Sequence, residues 1–166
     1  HFGYRRQRQM CIRDRGGSIQ AALDAAAVTP DHKLVVVHEG IYRPRIPSQA
    51  MVRFLARHDG IQLEADGDVT LTAANDQLAN PTADSFPAVV NHVVYFGHGV
   101  SNKTVLRGFH ITGAKGFVIT SQTGGDILEP HQSDPKLKKG MFFHSDGGAI
   151  KVFGLSLIHI SEPTRP

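Results

Sequence analysis

Two basic side chains sit where strand alternation would turn them outward. His110 lies between Phe109 and Ile111, and Lys151 between Ile150 and Val152, so each should face away from whatever its apolar neighbours bury. Arg107 is close by in sequence. If the two strands stack in register, these groups share one face: either a cationic floor for an anionic ligand or an ordinary solvated sheet surface. His144 and Asp146 close the long polar stretch ahead of the last strand. A histidine beside a carboxylate can serve as acid, base or ligand, while Ser145-Asp146-Gly147-Gly148 reads equally as a plain turn. In the same stretch Asp126, Glu129, His131 and Asp134 offer donors of the kind a hard cation takes, without EF-hand spacing or a glycine-rich calcium repeat. These residues assign no metal. Lys136, Lys138 and Lys139 form a short basic run of the kind a solvated loop carries. Asn102-Lys103-Thr104 matches a glycosylation acceptor, although asparagine is also at home in a tight turn. No Ser-His-Asp arrangement, P-loop or dinucleotide fingerprint occurs.

The elements that must position these groups are mostly short strands. From Val93 to Thr120 the chain reads as apolar segments cut by glycine and asparagine, with no room for a helix between them. Earlier, Gly16 to Ala27 is the one convincing helix. Ser18 can cap it, and Ile19, Ala22, Leu23 and Ala26 recur at the spacing of one apolar face. Too short to hold alone in water, it must pack on something. Lys33 to Tyr42 follows as a strand with a β-branched run, and Met51 to Ala56 is strand-like. Ile61, Leu63 and Ala65, then Val69, Leu71 and Ala73, alternate with polar residues on either side of an Asp66-Gly67-Asp68 turn. Asn75 to Pro87 is a polar excursion with two prolines, Gln122 to Asp146 a longer one, and Ala149 to Phe153 a last strand. Antiparallel hairpins would show two-residue Asn-Gly or Asp-Gly turns, and only Asp66-Gly67 comes near. Parallel strands in coils of roughly 20–30 residues fit better.

The two ends read differently from the chain between them. Residues 5–15, RRQRQMCIRDR, and 155–165, LSLIHISEPTR, resemble in-frame translations of the two transposon adapters used to prepare sequencing libraries. The resemblance implies that 1–15 and 155–166 are adapter-derived, the first disordered, and that 16–154 is part of a longer protein whose native N-terminus and any signal peptide lie outside it. Setting both ends aside removes six of 18 basic and two of 15 acidic residues, and the net charge moves from +3 to about −1. A basic balance that would invite nucleic acid or an anionic membrane as partner then disappears. The lone cysteine, Cys11, goes with the first end, leaving no disulfide framework, zinc–cysteine site or cysteine nucleophile. No apolar run reaches the ~20 residues of a membrane span.

Ser18 to Tyr42 resembles the opening of right-handed parallel β-helix proteins of the pectate lyase-like superfamily, with a short amphipathic cap over 18–27 and a first strand ending Glu39-Gly40-Ile41-Tyr42. Gly99 to Ala114 resembles a standard coil of the same proteins, with Asn102 at the turn and Val105, Phe109 and Ile111 inward. The resemblance implies an all-β right-handed parallel β-helix, coils from residue 33 onward, C-terminally truncated and open at that end. It also implies a secreted or cell-surface protein that binds or acts on an acidic polysaccharide, as a polysaccharide lyase or glycoside hydrolase, with Ca2+ as a possible cofactor and catalytic coils beyond Gly154. A β-elimination needs a base at the sugar C5 and positive charge against the developing enolate. Arg107, His110, His144, Asp146 and Lys151 are the candidate substrate contacts. The other expectation is a non-catalytic surface or adhesion module, since no clustered carboxylates or clear acid–base pair accompany the coil pattern.

Overall fold

The computed structural model describes residues 9–12, 18–31, 33–115 and 148–152. Its elements are β1 (Gln9–Ile12), α1 (Ile19–Val28), β2 (Leu34–Tyr42), β3 (Ser48–Phe54), a 3-10 turn at Ala56–His58, β4 (Gln62–Thr72), β5 (Val90–Phe96), β6 (Val105–Thr112) and β7 (Gly148–Val152). Helix α1 forms as the spacing predicts: Ser18 stands at its cap, and Ile19, Ala22, Leu23 and Ala26 are its buried residues.

The strands form two sheets, one of four strands in the order β1-β2-β4-β6 and one of three in the order β3-β5-β7. Every pairing between strands is parallel. Apolar residues therefore meet like residues along in-register columns, Val35 with Leu63 and Leu106 in the first sheet and Phe54 with Phe96 and Val152 in the second. The Phe54 and Phe96 rings stack with centroids 4.8 Å apart. The main core collects α1 (Leu23, Ala26), the first sheet (Val35, Val37, Leu63, Leu71) and the second (Val52, Phe54, Val94), and Ala50 and Tyr95 form a smaller cluster beside it.

The expected right-handed parallel β-helix is corrected here. Among the described residues there are two small open parallel sheets and a helix, and no closed solenoid. The cues that suggested coils were period-two alternation and glycine punctuation. They report that a strand buries one face, and they do not specify how strands close on one another. Asp66-Gly67-Asp68 is likewise no turn between strands. It lies inside β4, at register shifts against both β2 and β6, so the chain passes through an irregularity without reversing. Gln9–Ile12, within the segment expected to be disordered, pairs with β2.

Between β4 and β5 the chain leaves the sheets at Ala74 and returns at Ala88, which face each other in an isolated antiparallel bridge. Asn75 N–H donates to the Pro87 carbonyl across the same base. The 75–87 segment is thus an excursion, as its polarity and prolines predict.

Candidate functional site

The outer face of the first sheet carries two of the sequence candidates. His110 is exposed on β6, as alternation predicts, and stands beside Thr70 of β4. Its Nε2 lies 3.5 Å from Asp68 Oδ1. Arg107 Nη1 lies 3.3 Å from Glu64 Oε1, its register partner on β4. A third pair, His38 Nδ1 to Asp66 Oδ2 at 2.8 Å, joins β2 to β4 on the same sheet. Exposed pairs of this kind contribute about 0–1 kcal/mol. Their electrostatic consequence is larger, because each of these basic side chains already has a carboxylate beside it.

Lys151 does not join them. It lies on β7 in the other sheet, in one column with Tyr95 and Arg53. The face shared by His110 and Lys151 therefore does not form. His144 and Asp146, the Asp126, Glu129, His131 and Asp134 set, and the Lys136 to Lys139 run lie outside the described residues. Among the described residues no group of three or more His, Cys, Asp or Glu side chains is placed to hold a metal ion.

The structure instead brings together residues that no motif singled out. A cleft of about 410 Å³ opens between the first turns of α1, the 42–46 turn and β3, lined by Asp24, Arg43, Arg45 and Arg53 among others. The turn is fixed from two sides: Arg43 Nη1 donates to the Ala74 carbonyl at 2.9 Å, and Asn75 Nδ2 donates to the Pro44 carbonyl at 2.8 Å. Pro44 and Pro47 stiffen it further by fixing φ. Among the described residues Arg45 and Arg53 pair with no carboxylate. The first helical turn adds N–H groups without intrahelical partners, which carry partial positive charge.

Among the described residues the cleft has one acid, Asp24, and one of its carboxylate oxygens is engaged. Asp24 Oδ1 receives His58 Nε2 at 2.8 Å, Arg57 Nη2 at 3.2 Å and Gln20 Nε2 at 3.3 Å. Burial alone would raise this carboxyl, but the bonds from His58, Gln20 and Arg57 outweigh it and hold the group below its ordinary value. His58 is fully buried, and its Nδ1 accepts the Leu55 N–H at 3.0 Å. Since Nδ1 is an acceptor, the proton of the neutral ring sits on Nε2 and points at Asp24. Burial pushes the His58 pKa down, and Arg57 and Arg53 push the same way against the Asp24 bond. The pair acts as a brace between α1 and the 56–58 turn, with the imidazole shut away from any ligand.

Comparison with protein-family models, with curated proteins and with solved structures returns no match. Among the described residues no helix is long and apolar enough to cross a membrane.

The cleft was missed because its members are scattered over the helix, a turn and a strand. The one local signal was Arg43-Pro44-Arg45-Ile46-Pro47, a stiff turn with two guanidinium groups directly after a strand.

Proposed function

We propose that the protein binds an acidic polysaccharide through the arginine-lined cleft, as a binding module and without turnover at that site. The observation that carries this reading is the convergence of Arg43, Arg45 and Arg53 on one cleft whose one acid among the described residues, Asp24, has its Oδ1 engaged by His58 and Arg57. Guanidinium groups present paired donors that match a carboxylate fork. The polar lining beside exposed Ile46 suits a sugar, which offers hydroxyls at its edges and C–H groups on its faces. Binding is preferred to catalysis because His58, among the described residues the one histidine beside an acid at the cleft, is fully buried and cannot reach a substrate. An extracellular or surface setting goes with this ligand class.

The test is calorimetric titration of the full chain with an acidic oligosaccharide such as oligogalacturonate, and with a neutral oligomer of the same length. The expected result is binding of the acidic ligand alone, weakened by added salt. Replacing Arg45 and Arg53 together by alanine should lower affinity about tenfold or more, as loss of charge-assisted hydrogen bonds does. Equal binding of acidic and neutral oligomers, or none of either, overturns the proposal.

A further inference from the structure

We propose that His58 makes the arginine cleft pH-sensitive: a second proton on its ring forces the 55–59 turn away from α1 and weakens anion binding. The proposal rests on the anion-binding reading of the cleft and concerns its regulation. Its basis is the commitment of both ring nitrogens. Nε2 donates to Asp24 Oδ1 and Nδ1 accepts from Leu55 N–H. The second proton must go on Nδ1, where it would point at the Leu55 N–H, and two donors cannot share that contact. The ring has no room to turn. It is fully buried, with the Phe54 ring edge-on at a centroid distance of 6.4 Å.

The charges that face the imidazole come from three elements. Asp24 on α1 favours the protonated ring, while Arg57 on the same turn and Arg53 on β3 oppose it. Asp24 can keep its contact with an imidazolium, so the strain falls on the Leu55 side.

Movement there reaches the cleft by a short route. Leu55 follows Arg53 and Phe54 directly, and Gln20 of α1 holds the Arg53 main chain, accepting its N–H at 2.7 Å and donating to its carbonyl at 3.3 Å. Gln20, Asp24 and Arg53 all line the cleft. When the turn lifts, the helix and strand walls lose their tie, and the spacing between Arg53 and the first turn of α1 is no longer fixed. Preorganised charge is what gives such a cleft its affinity, so affinity falls as the ring charges.

The experiment uses the full chain and a sulfated oligosaccharide, whose charge stays constant between about pH 8 and about pH 5 while an ordinary histidine titrates. Wild-type affinity should drop about fivefold or more over that range, and His58→Gln, which keeps an acceptor and a donor but cannot charge, should show a flat profile. Hydrogen exchange at the Leu55 amide supplies a readout that needs no ligand: protection should be lost at the acid end in the wild type. Parallel affinity profiles for the two proteins, or Leu55 protection that persists at about pH 5, overturn the switch. Failure of the probe to bind at either pH overturns the anion-binding reading instead, and the Leu55 amide then decides the switch by itself.

Discussion

Gln20 serves the main chain of Arg53 as a neighbouring strand would, with its carboxamide oxygen 2.7 Å from the Arg53 amide and its carboxamide nitrogen 3.3 Å from the Arg53 carbonyl. β3 is an outer strand of its sheet, so among the described residues one of its sides has no strand partner. A helix side chain fills that vacancy at one residue, and the contact sets where α1 lies along the sheet. Replacing Gln20 by alanine removes both bonds and should cost about 1–3 kcal/mol, read from urea denaturation. A loss within about 0.5 kcal/mol, the range of an ordinary surface change, would show that the clasp is incidental.

Leu23 tests the apolar side of the same docking. It is fully buried at the contact of α1 with the core. Leu23→Ala should destabilise by about 2–5 kcal/mol, transfer and cavity terms together. Val28, at the end of the same helix and 82% exposed, should accept alanine with a change inside about 0.5 kcal/mol. Thermal melts of the two variants suffice for the comparison.

Stability should fall toward acid pH. His58 has its pKa lowered by burial, so the unfolded chain takes up the proton first, near the ordinary histidine value of about 6.5. Its contribution is complete above that value and is lost progressively as pH falls from there through the lower folded value. Asp24, held down by its donors, acts in the same direction at lower pH, its contribution being complete above the ordinary carboxylate value. Urea midpoints measured from neutral to about pH 5 should decline in the wild type and stay nearly level in His58→Gln.

Gly99 and Gly60 both adopt positive φ, at 83° and 77°, but in different surroundings. A Cβ at Gly99 would sit 2.7 Å from Ala56 Cβ, whereas one at Gly60 meets nothing nearer than Lys103 Cβ at 4.0 Å. Asparagine tolerates the left-handed region, so it separates backbone strain from crowding. Gly60→Asn should cost less than about 1 kcal/mol, and Gly99→Asn about 1–3 kcal/mol more, as overpacking does. Equal losses in chemical denaturation would mean that the 56–58 turn yields to the added atom.

Arg107 and His110 should be silent in binding. Each already has a carboxylate beside it from the neighbouring strand, Glu64 for Arg107 and Asp68 for His110. The double variant Arg107→Ala/His110→Ala should bind an acidic oligosaccharide within about twofold of wild type and lose at most about 1 kcal/mol of stability. A tenfold loss of affinity in the calorimeter would move the ligand from the cleft to the first sheet.

Local pattern was legible where local forces decide. The spacing of Ile19, Ala22, Leu23 and Ala26 is visible before any fold is known, and these are the residues α1 buries. Leu63, Val69 and Leu71 read as inward from alternation and are fully buried. Asp66-Gly67-Asp68 has turn composition, yet a parallel strand passes through it, because pairing with β2 and β6 on either side outweighs a local preference.

What alternation could not supply was the assignment of strands to sheets. His110 and Lys151 each look outward from their own neighbours, but whether they share a face depends on pairing between distant segments, and that pairing sets them in different sheets. Closure into a solenoid was a further inference of the same non-local kind. The cleft was hidden for a related reason. Arg45 belongs to a turn and Arg53 to a strand, Asp24 to a helix, and their meeting depends on contacts such as Gln20 to Arg53 and Asn75 to Pro44, none of which a linear spacing encodes.

The 75–87 excursion departs and returns at one bridge, Ala74 to Ala88. Chain added or exchanged beyond that bridge leaves the register of both sheets untouched, and the entropic cost of a longer loop rises only slowly. Its base is nevertheless bound to the rim of the cleft, through Arg43 to Ala74 and Asn75 to Pro44. New sequence there would be delivered beside the arginines. Mutation can therefore reshape the rim of the cleft in one place while the core that sustains the fold is inherited unchanged.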